Sequence, residues 1–286
     1  RDWQLVAESG TASITVDAIV RSMVGRVLDQ RPVHQRGIGD VRLSATGLSG
    51  STFTDVDLHV GAGEVLGVAG LPDSGRSEVV AALFGAVPST GSVHLDGAPV
   101  RLRSPRHAIA EGIGYVPAER RAEAIFPDLT IGINSALLDL DNAKRWGVIR
   151  RSRIDRLASS RLAEFDVRGN HHGPITGLSG GNQQKVVLSR WLARRPRVLL
   201  LDDPTRGVDV GAKSEIYARI EQAARQRSAI VMASSDIPEL LRVCDRIAVM
   251  AGGRLAGTVE AASTTEADVM SLATGAGTVA MTMGVR

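Results

Sequence analysis

With 286 residues, 43% of them hydrophobic and 23% charged, the chain is long enough to bury a sizeable core in one large domain or two small ones. A net charge of +3 is too mild for a nucleic-acid surface, no apolar run approaches a membrane span, and the opening residues lack a signal-peptide layout. The single cysteine, Cys244, lies in an apolar stretch, so no disulfide can form within the chain and a core position in a reducing compartment is expected.

The stretch from Asp17 to Gly25 predicts a short amphipathic helix closed by glycine, and Ala267 to Gly275 carries a comparable pattern near the other end. From Gly39 to Ala69, apolar residues alternate at Val41, Leu43, Val56, Leu58 and Val60, then run together over Val65-Leu-Gly-Val-Ala. This pattern predicts β-strands joined by glycine-rich turns, the last of them buried. Gly70-Leu-Pro-Asp-Ser-Gly-Arg-Ser77 follows that strand and precedes a helix from Glu78 to Phe84. The context is that of a phosphate-binding loop, with arginine at the position of the usual lysine. Gly70, Ser74, Gly75, Arg76, Ser77 and Glu78 form the candidate anion cradle, and the Ser77 hydroxyl is suited to Mg²⁺. Three features weaken the cradle. Arg76 is planar and longer than lysine, Pro72 lacks a backbone N–H, and Asp73 adds negative charge. A strand–turn–helix corner that binds nothing is the plain alternative.

Residues 91 to 116 predict two short strands, a helix from Pro105 and the strand Ile113-Gly-Tyr-Val. From Phe126 to Thr176 the pattern is mostly helical, over Ile131 to Leu140 and Arg151 to Phe165. Arg150, Arg151, Arg153, Arg156 and Arg161 lie opposite Ile154, Leu157, Leu162 and Phe165, which predicts a solvated basic face on an amphipathic helix rather than a nucleic-acid surface. His171-His172 has no nearby Cys and no spaced His or Glu, so a loop rather than a metal site is expected.

Leu178-Ser-Gly-Gly-Asn-Gln-Gln-Lys185 then opens a helix. Ser179 is a suitable N-cap, and Val186, Val187, Leu188, Trp191 and Leu192 follow at helical spacing. Such a helix turns unpaired backbone N–H groups and the positive end of its dipole toward its front, and glycines allow an anion close approach. The aliphatic run Val198-Leu-Leu-Leu ends in Asp202-Asp203-Pro-Thr-Arg-Gly-Val-Asp209, as a buried parallel strand with acids at its C-terminal end would. Asp202 is suited to hold Mg²⁺ through water, and Asp203 to orient an attacking water. Beyond it come a helix from Val210 to Ala224, a buried strand from Ser228 to Ala233 and a β-hairpin around Gly252-Gly253.

The Leu-Ser-Gly-Gly motif, followed closely by four aliphatics and Asp-Asp-Pro-Thr, resembles the signature motif and Walker B strand of an ABC-type ATPase. The form Leu-Ser-Gly-Gly-Asn-Gln-Gln-Lys, with Pro204-Thr-Arg-Gly-Val-Asp-Val-Gly-Ala-Lys213, is similar to one branch: the monosaccharide importers whose ATPase subunit fuses two nucleotide-binding domains. The resemblance implies an α/β, ABC-type P-loop NTPase domain, with a mostly parallel core sheet, flanking helices, an antiparallel β-subdomain and a helical subdomain over about 119–177. It further implies that residues 1–37 are the tail of a preceding nucleotide-binding domain with its linker, and 38–286 a second such domain.

The roles that follow by resemblance are specific. ATP and Mg²⁺ are the implied cofactors, with Ser77 and Asp202 as metal-holding positions. Leu178, Ser179, Gly180, Gly181, Asn182 and Gln183 would contact ATP held by the partner domain, and Asp209 is the D-loop acid. Several positions depart from the family pattern. No aromatic for adenine stacking stands in Thr46-Gly-Leu-Ser-Gly50, and no glutamine stands near Ala118, although a Pro-x-x-Arg segment there is usual in second domains of this branch. Asp203 is one methylene short of the usual catalytic glutamate, and Ser235 replaces a histidine. The implied whole is a domain with a degenerate catalytic site of its own and an intact signature completing its partner's site. Implied partners are the first nucleotide-binding domain of the same polypeptide, transmembrane permease subunits and, indirectly, a sugar-binding protein, with no nucleic acid. The implied location is the cytoplasmic face of the membrane, held there through the permease. A non-transport ABC ATPase and a nucleotide-independent scaffold are the competing roles. Long linkers, coiled coils or basic tracts would favour the first, and a nucleotide titration discriminates the second.

Overall fold

The computed structural model describes residues 37–140, 144–145, 148–167 and 169–276. The helix expected over Asp17 to Gly25 and the linker after it lie outside the described residues. Strands β1 (Val41–Ser49), β2 (Val56–Gly61), β4 (Thr90–Leu95) and β5 (Ala98–Val100) form an antiparallel sheet in the order β2-β1-β4-β5. Alternation dictates its faces. Along β2, Val56, Leu58 and Val60 are buried while Asp57 and His59 are exposed.

The second sheet holds β3 (Val65–Gly70), β6 (Ile113–Val116), β9 (Val198–Asp202), β10 (Ala229–Ala233), β11 (Arg246–Ala251) and β12 (Arg254–Glu260) in the order β12-β11-β3-β10-β9-β6. All neighbouring pairs are parallel except β11–β12. Every residue of β9 and of β10 is buried, as continuous aliphatic runs covered on both faces must be. Truncating one of these, for example Leu200→Ala, would cost about 2–5 kcal/mol. The β11–β12 hairpin pairs Ala251 with Arg254 across Gly252 and Gly253, both at positive φ, which fits a two-residue primed turn. A Cβ at Gly253 would fall 2.7 Å from the Thr52 carbonyl oxygen, so the turn also seats against the loop between the strands of the first sheet.

Among the described residues the α-helices are α1 (Arg76–Leu83), α2 (Pro105–Ala110), α3 (Ile131–Ala136), α4 (Arg151–Glu164), α5 (Gly180–Leu192), α6 (Val210–Arg225), α7 (Ile237–Val243) and α8 (Glu266–Ala273). Phe84, at the end of α1, packs edge-on against Trp191 of α5 with ring centroids 5.9 Å apart, tying the two glycine-led helices to one core. Two features of 117–177 were not foreseen: a π-helical turn at Arg120–Ala124 and a small hairpin, β7 (Lys144–Arg145) with β8 (Val148–Ile149). The solvated face expected on α4 also requires correction. Arg161 is buried, donates to the Ser135 carbonyl at 2.7 Å and pairs with Asp139. It ties α4 to the end of α3, a role that helical spacing alone does not reveal. Cys244 is fully buried and free, as expected. Among the described residues no helix is long and apolar enough to cross a membrane.

Candidate functional site

The C-terminal ends of β3, β9 and β10 converge, and the chain turns outward there at Gly70, Asp203 and Ser234. This is where parallel α/β sheets place ligands. The loop from Gly70 to Gly75 is shaped by its glycines. A Cβ at Gly70 would meet the Ser74 Oγ at 2.2 Å and the Met250 carbonyl oxygen at 2.9 Å. Gly75 caps α1 at φ 87°, where a side chain would crowd Thr52 and Phe53. Asp73 adopts the left-handed region at φ 64°, an uncommon conformation for a residue with a Cβ.

Arg76 does not reach out from this loop. Its Nη1 donates to the Gly70 carbonyl at 2.7 Å and its Nη2 to Asp203 Oδ2 at 3.1 Å, with side chains only 12% and 9% exposed respectively. The other oxygen of Asp203 accepts from the Ser235 backbone N–H at 2.8 Å and from the Ser235 hydroxyl at 3.1 Å. Three donors from two elements therefore hold the Asp203 carboxylate, and the position expected to carry histidine supplies two of them. Asp203 itself lies at φ 40°, strain that its backbone bond to the Ala233 carbonyl at 2.9 Å helps to sustain.

Beside this cluster the Ser77 hydroxyl donates to Asp202 Oδ1 at 2.9 Å. Burial first, then the neighbouring Asp203 and Glu78, push the Asp202 carboxyl up to about 6 against the pull of Ser77 and Arg76. Hydroxyl and carboxylate oxygens side by side are hard donors of the kind Mg²⁺ takes, so this pair fits the ion. The loop also retains two buried polar atoms without a hydrogen-bond partner, Ser74 Oγ and Arg76 Nε. Such atoms are expected where a polar ligand completes the bonding.

At the second candidate surface the Ser179 Oγ caps α5, accepting from the Asn182 N–H at 3.4 Å, and Ser179 is exposed. Gly180 and Gly181 answer to a neighbour within the chain. Added Cβ atoms would lie 2.8 Å from the Gly207 carbonyl oxygen and 2.5 Å from the Ala212 Cβ. The segment after β9 therefore passes against the start of α5, and Asp209 caps α6 by accepting from the Ala212 N–H at 3.0 Å. Leu178 is partly buried against the core. Gln183 turns inward, its amide donating to the Ile175 and Leu178 carbonyls at 3.2 and 3.1 Å. Glu119, near the position where the family carries glutamine, pairs with exposed Arg206 at 2.7 Å.

Sequence reading missed a buried network behind the site. Glu239 accepts from Thr205 and Ser234 hydroxyls, each at 2.6 Å, and burial raises its carboxyl above the ordinary range. It joins the loop after β9 to the loop after β10. Lys213 pairs with Asp236 at 2.9 Å across the same gap. A glutamate inside the otherwise apolar start of α7 was the available signal.

The ABC transporter family model matches residues 53–206. The chain is 42% identical over 279 residues to a ribose import ATP-binding protein of Chromobacterium violaceum, covering 96% of this chain and 56% of that one. It is 40% identical over 280 residues to a ribose import ATP-binding protein of Yersinia pestis, covering 96% and 55%. The chain thus spans little more than half the length of these relatives. Among solved structures, a nucleotide-free ATP-binding cassette from an ABC transporter superposes with a TM-score of 0.68 at 17% identity, covering 82% of this chain and 95% of that one. A dimeric post-hydrolysis cassette bound to ADP and Pi gives 0.65 at 20% identity, covering 78% and 100%. These likenesses establish the mixed α/β cassette fold.

Proposed function

The chain belongs to the ABC transporter family, and from that premise we propose that it is the second ATP-binding domain of a bacterial monosaccharide importer. In this reading it joins a first nucleotide-binding domain in the same polypeptide and reaches the inner face of the membrane through permease subunits. Residues 1–37 would then be the tail of that first domain with its linker, and 38–286 the second domain. Within it, the segment of about 119–177 would be the helical subdomain that docks on the permease. The ribose-import names of two relatives support the substrate class.

Its own ATP site is degenerate. The observation that carries this is Arg76 turned back onto Asp203, so that the loop's cation and the acid following the metal-binding Asp202 satisfy each other. Gly70, Ser74, Gly75, Ser77 and Glu78 would still hold ATP weakly, with Mg²⁺ on Ser77 and Asp202. Mg²⁺ would supply charge neutralisation for the phosphates. Asp203, held by Ser235 and Arg76, is poorly placed to orient water, and about 1 Å of misplacement can cost a hundredfold.

The start of α5, with its exposed cap Ser179, completes the partner domain's site. Ser179 and the N–H groups of Gly180 and Gly181 face an anion there, with Leu178, Asn182 and Gln183 shaping the turn and Asp209 fixing the neighbouring loop. In the full-length reconstituted transporter, Ser179→Arg should remove most sugar-stimulated ATPase activity, about a hundredfold, whereas Arg76→Ala should cost much less. Equal losses in the two variants would overturn the asymmetric reading.

A further inference from the structure

Asp155 of α4 and the adjacent pair His171-His172, which the sequence keeps apart from it, meet at the edge of that helix. Asp155 Oδ1 lies 3.9 Å from His171 Nε2 and 3.7 Å from His172 Nδ1, and one ligand-type atom from each residue falls within 4.8 Å of the others. These separations exceed hydrogen-bond length. They are close to the edge of a tetrahedral ligand set of about 2.0–2.1 Å radius, whose ligand atoms stand about 3.4 Å apart. His171 Nε2 is shut from solvent and has no hydrogen-bond partner, an arrangement disfavoured for a polar atom unless something else completes its bonding.

The loop bearing the histidines is held in place by its backbone. The Gly132 N–H donates to the His171 carbonyl at 2.8 Å and the Ile131 N–H to the Gly173 carbonyl at 2.9 Å. The His172 N–H donates to Asn170 Oδ1 at 3.0 Å. A Cβ at Gly132 would sit 3.1 Å from the His171 carbonyl oxygen, so the start of α3 abuts this loop. The two imidazoles pack with centroids 4.0 Å apart, and the His172 and Asp155 side chains remain 45% and 35% exposed, which gives an ion an entry path.

We propose that Asp155, His171 and His172 form a binding site for a divalent transition-metal ion of the zinc class. Two imidazoles and one carboxylate suit Zn²⁺ and disfavour Mg²⁺ or Ca²⁺, which take oxygen ligands. Three protein ligands leave a fourth position for water. Such an ion would clip α4 to the loop that leads through Ile175–Gly177 into Ser179. The site stands on its own geometry, whatever the role of the ATP site.

The test uses the full chain without a histidine tag, titrated with Co²⁺ and then Zn²⁺. One equivalent of Co²⁺ should bind with the visible absorption of a four-coordinate nitrogen and oxygen site, and Zn²⁺ should displace it. Asp155→Asn and His171→Ala should each weaken Zn²⁺ binding at least tenfold and should abolish the rise in melting temperature that Zn²⁺ gives the parent chain. Since Asp155 is partly exposed, Asp155→Asn retains the fold and decides the matter even if His171→Ala unfolds. Zn²⁺ binding no tighter than millimolar, a sulfur charge-transfer band pointing to Cys244, or one-to-one binding unchanged in Asp155→Asn would each overturn the proposal.

Discussion

Among the described residues two helix N-termini, those of α1 and α5, are introduced by glycines, and they are finished in opposite ways. At α1 the glycine loop is closed by its own side chains: Arg76 bridges the Gly70 carbonyl and Asp203, and Ser235 holds the other face of that acid. At α5 the cap residue Ser179 is exposed, Arg206 pairs with Glu119, and the Arg120 guanidinium lies beside Gly180 and donates to Gln184 of the same helix. The same backbone device can hold an anion in both places. What differs is whether the chain supplies an internal counter-charge first. The contrast teaches that a motif's spacing identifies a binding geometry, while the partners of its charged residue decide whether that geometry is free.

The largest effect expected from breaking this contrast concerns the glycines of α5. Gly181→Asp should destabilise the isolated chain by about 3 kcal/mol, because its Cβ must displace Ala212 and its carboxylate would crowd Asp209. Ser179→Arg, at an exposed position, loses only the helix cap and should cost about 1 kcal/mol. Urea unfolding of both variants checks this, and comparable losses would mean that Ser179 also packs within the chain. Activity loss in Gly181→Asp therefore mixes folding with function, which makes Ser179→Arg the cleaner probe.

The next effect is pH-dependent. The Asp202 carboxyl, at about 6 in the folded chain against an ordinary 3.8, holds its proton more tightly when folded than when unfolded. Its contribution to stability is complete below about pH 3.8 and is lost as pH rises through about 6. Asp202→Asn removes that loss, so the variant should be up to about 3 kcal/mol more stable than the parent at pH 8, an advantage that narrows toward pH 4. Unfolding curves across that range measure it. A variant that is less stable at pH 8 would show that the Asp202 charge is already compensated.

The smallest effect sharpens the comparison at α1. MgATP should bind the isolated chain in the high micromolar range or weaker, roughly −5 kcal/mol. Arg76→Lys should tighten binding about tenfold, since a compact ammonium cannot bridge Gly70 and Asp203 as the planar guanidinium does. Calorimetry with both proteins gives the ratio. Weaker binding in Arg76→Lys would mean that Arg76 itself serves the phosphates.

Much of the architecture was legible in local pattern. Aliphatic runs at Val65–Ala69 and Val198–Leu201 marked buried strands, the second of them as parallel, and Ser179 before a helical apolar stripe marked the start of α5. The Gly252-Gly253 pair marked the final hairpin. These signals act over a few residues, because strand pleat, helix period, capping and turn conformation are set by neighbours in the chain. The candidate phosphate loop, the acids after β9 and Ser235 were likewise named from their order in the sequence.

Their pairing was not. Arg76 and Asp203 are 127 positions apart, and no local rule says that the guanidinium turns inward to that acid rather than outward to a ligand. Arg161 belongs to the same class. Its helical position predicted solvent, yet the end of α3 covers it and Asp139 neutralises it. So does the His171-His172 pair, which lacked a partner in its own segment until α4 brought Asp155 alongside. Sequence determined which residues could start, cap and fill each element, because those energies are local. Only the tertiary structure decided which buried charge meets which, because desolvation and pairing depend on distances that packing alone sets.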